Sequence, residues 1–397
     1  MTQQTPLQFP DGFLWGAATA AHQIEGNNVN NDWWVREHTP GTNVDEPSGD
    51  ACDSYHRYRE DVALLADVGL NAYRFSLEWS RIEPEAGFVS RAQIDHYRRM
   101  VAACHEFGLT PMVTLHHFTV PRWMDAQGGW RHRDAADLFA RFTEIALPIV
   151  GDGVEWVCTI NEPNMVAVSG GAEGTGLSVP ALPTPDKLIS DALVLAHRRS
   201  REVLSRLPAI KSGWTIATQA VHAEPGNEQA AHDYRYPRED FFLEAARGDD
   251  FVGVQAYTRT IIGPDGPRPV PDGLETTQTG WEYFPPAVGI GVRNAWNVAA
   301  GVPILVTENG IATADDTRRI AYTHAALTGL HEAITTDGID VRGYLHWSAL
   351  DNYEWGSYTP TFGLIAVDRS TFARTPKSSA RWLGDIAKAN AITGQAP

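Results

Sequence analysis

The feature that most constrains the fold is a regular alternation of short apolar runs with segments of helical periodicity. Eight runs, short and bounded by turn residues, are predicted to be strands: residues 14–17, 72–76, 111–115, 156–160, 212–217, 251–255, 304–307 and 343–347. Strands that alternate with helices are typical of a parallel sheet covered by helices. The chain is therefore predicted to be an α/β protein.

Four of the intervening segments carry apolar residues three and four positions apart, which marks the buried face of an amphipathic helix. These stripes cover residues 58–68, 94–104, 138–149 and 320–334. Gly69 and Gly108 stand just past two of them, where glycine commonly ends a helix in the left-handed conformation. His324 and His331 lie on the fourth stripe and are predicted to be buried and hydrogen-bonded rather than catalytic.

No Ser/Gly-rich linker or low-complexity block interrupts the alternation. Eight strand–helix units therefore predict one (β/α)8 TIM barrel domain spanning residues 1–397. The Pro- and Gly-rich pieces at residues 170–185 and 263–273 are then excursions from the barrel rather than domain boundaries. In such barrels the chemistry lies on the loops after the C-terminal ends of the strands, so the functional site is expected there.

Charge and cysteine content exclude several classes of partner. The chain has 32 Lys and Arg against 49 Asp and Glu, a net charge of −17, so a nucleic acid would be repelled. The N-terminal stretch lacks the pattern of a secretory leader and no apolar run of about 18 residues occurs, so no membrane contact and a cytoplasmic location are predicted. Cys52, Cys104 and Cys158 lack metal-ligand spacing, and neither a metal nor a cofactor is predicted.

Two carboxylates arrive at the ends of apolar strands in the same way. "CTINEPNMV" contains Asn161 and Glu162, and "PILVTENG" contains Thr307 and Glu308. Because the ends of the fourth and seventh strands of a barrel face one rim, the two glutamates are expected to meet. Two carboxyls opposed across a pocket can cleave a glycosidic bond, one protonating the leaving oxygen while the other attacks or supports the anomeric carbon. Taken singly, either glutamate could instead cap a helix or pair with an arginine.

Six motifs, in order, carry a resemblance over nearly the whole chain. They are "FLWGAATAAHQIEG" (13–26), "YRFSLEWSRIEP" (73–84), "TLHHFTVPRWM" (114–124), "TINEPN" (159–164), "VTENG" (306–310) and "WSALDNYEW" (347–355). With these motifs the chain resembles glycoside hydrolase family 1, the β-glucosidase and β-galactosidase family. The resemblance implies a retaining β-glycosidase that hydrolyses terminal non-reducing β-D-glucosyl residues through a covalent glycosyl-enzyme intermediate, with galactosyl and fucosyl residues as further candidates.

The resemblance also implies a role for each matching residue. Glu162 corresponds to the general acid/base and Glu308 to the nucleophile. Arg74 and Tyr257 correspond to the groups that hold the carboxylate of the nucleophile. The sugar-binding set comprises Trp347 as the stacking floor and, as hydroxyl-binding groups, Gln23, His117, Asn161, Glu354 and Trp355. The implied partner is a small β-glycoside or oligosaccharide.

Physical chemistry gives these roles separate requirements. Glu308 must be ionised to attack, so a guanidinium and a phenol within hydrogen-bond reach are expected to lower its pKa. Glu162 must hold a proton near neutral pH, and a negative Glu308 roughly 5 Å away is expected to raise its pKa. Asn161 is expected to bond the 2-hydroxyl more strongly as the sugar ring flattens toward an oxocarbenium ion. Gln23 and Glu354 offer planar groups for vicinal hydroxyls.

The chain departs from the family pattern in two places. It is short for the family, and about 33 residues separate Ala217 from Phe251, where the family usually has more. The family usually shows Asn-Tyr-Tyr where this chain has Gln255, Ala256 and Tyr257. Both departures fall where the wall for the leaving group is usually built, so a shallower or wider leaving-group side is expected.

Three other activities compete with hydrolysis of a plain β-glycoside. A 6-phospho-β-glycosidase would need cationic donors where this chain has the acidic Glu354, so it is disfavoured. A transglycosidase would use the same intermediate and pass the sugar to an alcohol. A non-catalytic sugar-binding barrel predicts damage to the catalytic pair, and both glutamates are present. The sugar epimer, the natural leaving group and the oligomeric state are left open by the sequence.

Overall fold

The computed structural model describes residues 6–169 and 182–394, and its centre is a closed barrel of eight parallel strands. In chain order these are β1 (Leu14–Ala18), β2 (Ala72–Ser76), β3 (Thr110–His116), β4 (Trp156–Asn161), β5 (Lys211–Thr218), β6 (Phe251–Ala256), β7 (Ile304–Asn309) and β8 (Val341–Trp347). Each strand pairs with its chain neighbours, and β8 pairs with β1 to close the barrel. Every predicted strand lies within one of the eight, so the TIM barrel is confirmed; the single-domain assignment over residues 1–397 stays a prediction.

In the part of the chain that the structure describes, eight helices surround the barrel: α1 (Ser54–Val68), α2 (Arg91–Glu106), α3 (Ala135–Val150), α4 (Lys187–Leu204), α5 (Phe241–Ala245), α6 (Ala287–Val298), α7 (Asp316–Thr335) and α8 (Ser378–Ala389). The four predicted stripes fall in α1, α2, α3 and α7. Gly69 follows α1 with φ of 109°, the left-handed conformation expected there. Shorter helical segments are Ala21–Ile24, Asp32–Glu37, Trp79–Ile82, Arg122–Asp125, Gly129–Arg131, Pro163–Ser169, Glu228–Arg235 and Tyr236–Asp240.

The prediction that His324 and His331 are buried is wrong. Both side chains are half-buried, because the face of α7 that packs on the barrel is carried by neighbours such as Tyr322 and Leu327. Each ring does have a hydrogen-bond partner: His324 Nε2 lies 3.3 Å from the Gly394 carbonyl oxygen and His331 Nε2 3.1 Å from that of Gln8. Neither imidazole lines the pocket described below.

Outside the barrel, the described residues form three small sheets. Leu7–Gln8 pairs with Ala391–Ile392, and Ile365–Val367 pairs with Arg374–Pro376. The third sheet joins His222–Ala223, Ile261–Gly263 and Gly266–Pro267, so the predicted excursion at 263–273 contributes to it. Most of the other predicted excursion, at 170–185, lies outside the described residues.

Two apolar layers hold the barrel together. The larger lies between strands and helices. The smaller lies inside the barrel and consists of Met112, Trp156, Cys158, Phe251, Leu305 and Leu345. On β4, β6 and β7 these inner residues precede the polar residues of the same strand, so the barrel interior is plugged on its N-terminal side. The polar groups are thereby confined to the C-terminal rim.

Candidate active site

The C-terminal rim of the barrel opens into a pocket with a volume of about 290 Å³. Seven of the ten predicted site residues line it: His117, Glu162, Tyr257, Glu308, Trp347, Glu354 and Trp355. The other three, Gln23, Arg74 and Asn161, are fully buried and bond to those that do. The structure therefore brings all ten predicted residues together around one cavity.

Changes of register in β4 and β7 precede Asn161 and Glu308. Strict alternation along β7 would put Leu305 and Glu308 on opposite faces, because they are three positions apart. The pairing of β7 with β6 shifts between Val306 and Glu308, and that of β4 with β5 shifts between Cys158 and Asn161. A bulge of this kind redirects a side chain. Apolar filler and polar site residues can thus occupy the same inner face.

Glu308 is held by three donors. Its Oε1 accepts a hydrogen bond from an Arg74 Nη at 2.6 Å and another from Gln255 Nε2 at 2.6 Å. Its Oε2 accepts one from the Tyr257 hydroxyl, also at 2.6 Å. Charge-assisted hydrogen bonds of this length fix the carboxylate plane. Arg74 and Tyr257 therefore both contact the carboxylate of Glu308 directly.

Glu162 has a different environment. It follows β4 with φ of 44°, in the left-handed region, and its backbone N–H donates to the Thr215 carbonyl at 2.8 Å. The chain then turns directly into the helix Pro163–Ser169. This sharp strand-to-helix turn presents the carboxyl of Glu162 to the cavity that Glu308 also lines.

Burial raises the pKa of both carboxyls, and their neighbours then act on the two pKa values in different ways. Burial raises the pKa of Glu162 well above its ordinary value, and the charge of Glu308 raises it further. Burial also raises the pKa of Glu308, but the Arg74 guanidinium and the Tyr257 hydroxyl act in the opposite direction. The expected lowering by these two groups is present, yet it does not outweigh burial. Of the two carboxyls, Glu162 is thus the one whose surroundings favour the protonated form more strongly.

Gln255 belongs to the site although the sequence marked it only as a departure. Its Nε2 donates both to Glu308 Oε1 and, at 2.9 Å, to Asn161 Oδ1. It is the register partner of Glu308 across β6 and β7. The available signal was its position at the end of a predicted strand, next to the strand that delivers Glu308.

Asn161 is oriented by several partners. Its Oδ1 accepts hydrogen bonds from an Arg74 Nη at 2.6 Å and from the Thr215 hydroxyl at 3.1 Å, in addition to that from Gln255. Its Nδ2 lies 3.1 Å from His117 Nε2, which is the acceptor because the amide nitrogen carries the protons. Burial and the Arg74 charge lower the pKa of His117 well below its ordinary value, so the ring is neutral and protonated on Nδ1.

A further hydrogen-bonded group consists of Gln23, Trp347 and Glu354, of which the last two line the pocket. Glu354 accepts hydrogen bonds from Trp347 Nε1 at 3.1 Å and from Gln23 Nε2 at 3.2 Å, and the latter also donates to the Tyr353 carbonyl at 2.7 Å. Burial raises the pKa of Glu354 well above its ordinary value. Together these three side chains offer an amide, an acid and an indole, a combination that can bind several hydroxyl groups and cover an apolar ring.

Trp355 lines the pocket, and a buried hydrogen-bonded pair supports its ring. Its ring stacks on His22 with centroids 5.7 Å apart and planes at 13°. His22 Nε2 lies 2.7 Å from a Glu37 carboxylate oxygen, and both of these side chains are fully buried. The Trp33 ring packs against that of Trp355, with the ring centroids 4.7 Å apart. The supporting groups are thus drawn from the segment after β1.

Other candidate features do not form a second site. His116, beside His117, is fully buried against Trp130 and Phe139, and burial lowers its pKa to about 3, which fits a structural role. Within residues 6–169 and 182–394, no group of three or more His, Cys, Asp and Glu side chains is arranged to hold a metal ion. Across the same ranges, no helix combines the length and the apolarity needed to cross a membrane.

Comparisons with known proteins agree with this geometry. The sequence model for glycosyl hydrolase family 1 matches residues 5–242 and 252–392. Beta-glucosidase A of Thermotoga maritima is 32% identical over 447 residues, covering 97% of this chain and 99% of its own. A 1,4-beta-D-glucan glucohydrolase of Thermotoga neapolitana is also 32% identical, over 452 residues, with the same coverage.

Solved structures show the same likeness. The crystal structure of beta-glycosidase BGL167 is 47% identical, with a TM-score of 0.89, and the match covers 98% of this chain and 99% of that one. The Thermotoga maritima beta-glucosidase in complex with glucoimidazole is 29% identical with a TM-score of 0.88, covering 97% of this chain and 100% of that one.

Proposed function

The chain belongs to glycosyl hydrolase family 1, and from that premise we propose that it is a retaining β-glucosidase with Glu308 as nucleophile and Glu162 as general acid/base. Family membership makes it an O-glycosyl hydrolase of the β-glycosidase class. The observation that carries the assignment of roles is the unequal setting of two carboxyls on one cavity. Glu308 has a guanidinium and two further donors, whereas burial and the charge of Glu308 favour the protonated form of Glu162.

In the first step, ionised Glu308 attacks the anomeric carbon as Glu162 donates its proton to the glycosidic oxygen. The bond between the anomeric carbon and that oxygen breaks, and the leaving group departs as an alcohol. The sugar is now joined to Glu308 as an ester. The sugar ring flattens as this ester forms. The Asn161 amide is expected to bond the 2-hydroxyl more strongly as positive charge develops on the ring.

In the second step, the charge of Glu308 is absent because the carboxylate has become an ester. One of the causes that raise the pKa of Glu162 is thereby removed, and its pKa falls. Glu162 then takes a proton from water, the hydroxyl oxygen attacks the anomeric carbon, and Glu308 leaves as a carboxylate. Two inversions give net retention of the β configuration.

The sugar most compatible with Gln23 and Glu354 is an uncharged hexose. Gln23 and Glu354 present an amide and a carboxyl, and an acidic group there disfavours a phosphorylated sugar. Glucose is proposed because the named relatives are beta-glucosidases and a glucan glucohydrolase. Galactosyl and fucosyl transfer use the same chemistry, and a transglycosidase would differ only in the acceptor of the second step.

The roles are tested by azide rescue of two variants on an activated aryl β-glucoside. Glu308→Ala is expected to lose turnover, and azide should restore it by direct attack, giving the α-glucosyl azide. Glu162→Ala is the matched control: the intermediate still forms, so azide should give the β-glucosyl azide. Proton NMR of the azides and of the first sugar anomer released by the wild type supplies the readout. The assignment fails if Glu308→Ala keeps wild-type turnover or if both variants give the same anomer.

A further inference from the structure

The two indoles that follow β8 into the pocket are oriented in different ways. Trp347 Nε1 donates a hydrogen bond to Glu354 at 3.1 Å, and this bond sets the plane of that ring. Trp355 also lines the pocket, yet no residue within 6–169 and 182–394 accepts a hydrogen bond from its indole N–H. The orientation of Trp355 therefore depends on the rings that pack against it.

Four rings contact the indole of Trp355. His22 and His117 lie nearly parallel to it, with planes at 13° and 18° and centroids 5.7 and 6.2 Å away. Trp33 and Phe118 meet it at the steeper angles of 51° and 75°. Of the two parallel rings, His22 is the closer. It is not among the residues that line the pocket and has no part in the proposed mechanism.

The hydrogen bonds of His22 define its tautomer. Asn31 Oδ1 accepts the Trp34 N–H at 2.8 Å at the start of the helix Asp32–Glu37, so the other branch of the amide, Nδ2, faces His22 Nδ1 at 2.9 Å. An amide nitrogen donates and does not accept, so His22 Nδ1 is the acceptor and carries no proton. The proton of the neutral ring is therefore on Nε2, which donates to Glu37 Oε1 at 2.7 Å.

Glu37 is itself held in place. Its other carboxylate oxygen accepts hydrogen bonds from the Ser48 N–H at 3.1 Å and from the Ser48 hydroxyl at 2.7 Å. Burial raises the pKa of Glu37, but the contacts with His22 and Ser48 outweigh burial and lower it. His22, Asn31 and Glu37 are all buried. The imidazole therefore cannot turn without leaving a buried polar group unpaired, which is costly.

We propose that His22 is a positioning residue for Trp355: Asn31 and Glu37 hold its imidazole as the neutral Nε2–H tautomer, and the ring keeps the indole in the orientation that binds the sugar. This inference rests on the proposed function, in which Trp355 contacts the substrate. An imidazole locked by two hydrogen bonds gives the indole a parallel surface of fixed direction. Without that surface the indole can tilt, and a small displacement of a substrate-binding group has a large effect on rate.

Two substitutions separate the ring of His22 from its hydrogen bonds. His22→Phe keeps a flat ring against Trp355 but leaves Glu37 without its donor, whereas His22→Gln can still donate to Glu37 but has no ring. We expect kcat/KM for an aryl β-glucoside to fall by about 10- to 100-fold in His22→Gln and by less in His22→Phe. The thermal midpoint should fall further in His22→Phe, because Glu37 is then unpaired. If His22 served only to pair Glu37, His22→Phe would show the greater loss in both measurements, and that result would overturn the proposal.

A double-mutant cycle with Trp355→Ala tests whether His22 acts through the indole. Added to Trp355→Ala, His22→Gln should change kcat/KM by less than about twofold, whereas losses that multiply would contradict the inference. His197→Gln is the matched control. His197 Nε2 lies 3.0 Å from an Asp249 carboxylate oxygen and its ring stacks on Trp214 at 14°, but neither ring lines the pocket. Its kcat/KM should stay at the wild-type value.

Nitrogen-15 NMR of the imidazoles reads the tautomer in the wild-type protein. The signals of His22 are identified by their loss in His22→Gln. Nε2 should carry a proton and Nδ1 none, and a proton on Nδ1 would overturn the assigned tautomer. If the wild type hydrolyses no aryl β-glucoside, the proposed function itself is wrong, and the NMR measurement still decides how the His22 ring is held.

Discussion

Gln255 donates from one nitrogen to two groups that have separate tasks in the proposed mechanism. One acceptor is the oxygen of Glu308 that also receives Arg74, and the other is the oxygen of Asn161. Because a donor to a carboxylate favours its ionised form, Gln255 is expected to help keep Glu308 negative. The Thr215 hydroxyl, by comparison, donates to Asn161 but not to Glu308.

We expect Gln255→Leu to lower kcat/KM by roughly 10- to 100-fold, because a hydrogen bond to a charged group contributes about 1.5–3 kcal/mol. Loss of the donor raises the pKa of Glu308, and Glu308 must be ionised to attack. The acidic limb of the pH profile of kcat/KM should therefore move to higher pH, while the basic limb, set by Glu162, should stay nearer its place. Thr215→Val should lower the rate without moving the acidic limb. A profile of unchanged midpoint for Gln255→Leu would contradict this role.

At the scale of elements, α8 approaches the end of α1 closely at Gly384. A Cβ placed on Gly384 would lie 1.8 Å from the carbonyl oxygen of Val68. Helices meet at such a distance only where one of them has no side chain at the contact. Gly384 therefore sets how tightly the last helix of the barrel packs against the first.

Gly384→Ala is expected to lower the free energy of unfolding by about 1–3 kcal/mol, because α8 or α1 must shift to make room. Gly329, within α7, is the matched control, since a Cβ there meets nothing within 4 Å. Gly329→Ala should raise stability by about 0.5–1 kcal/mol through better helix propensity. Urea unfolding followed by circular dichroism measures both. Equal effects of the two substitutions would show that the contact between α1 and α8 has no energetic role.

At the scale of the whole molecule, the two described ends of the chain meet beneath the barrel. Asn390 ends α8 with φ of 50°, and its Oδ1 accepts a hydrogen bond from Trp15 Nε1 at 2.9 Å. Its Nδ2 donates to the carbonyl oxygens of Phe9 and Pro10, each at 3.0 Å. One side chain thus links the last helix to β1 and to the segment before it.

We expect Asn390→Ala to reduce the free energy of unfolding by about 2–4 kcal/mol, the sum of lost hydrogen bonds and of left-handed strain. Asn390→Gly loses the same bonds without the strain, so it should be the milder change by about 1 kcal/mol. Thermal unfolding of the two variants beside the wild type tests this. A wild-type midpoint in Asn390→Ala would mean that the ends contribute nothing to closure.

The sequence predicts most where one local rule determines the outcome. The strands were predictable because each is a short apolar run that ends in a turn, and Glu162 and Glu308 because they stand at such ends inside recognisable motifs. The burial of His324 and His331 was mispredicted. Apolar residues three and four positions apart locate the buried face of a helix, but they fix the edge of that face only to within one residue. The catalytic roles and the sugar-binding set stay predictions.

Contacts that depend on register or on distant segments could not be read from the chain. Gln255 reaches both Glu308 and Asn161 only because β7 carries a bulge before Glu308. Arg259 forms an ion pair with Glu282, which lies next to the turn from Thr277 to Trp281. A hydrogen bond from the Gln278 N–H to the Ala312 carbonyl holds that turn. Support of Trp355 by His22 joins the two ends of the sequence.

The guanidinium of Arg74, which touches both Glu308 and Asn161, has a consequence for how such a molecule can diversify. In the proposed mechanism, any substitution that adapts Asn161 to a different 2-substituent also disturbs Glu308, so selectivity at that position is not expected to change without loss of rate. The hydrogen bonds of Gln23 with Glu354 and of Arg259 with Glu282 involve neither Arg74 nor Asn161. New substrate preferences should therefore arise by replacement of residues in those two pairs, while Arg74, Asn161 and Glu308 stay unchanged.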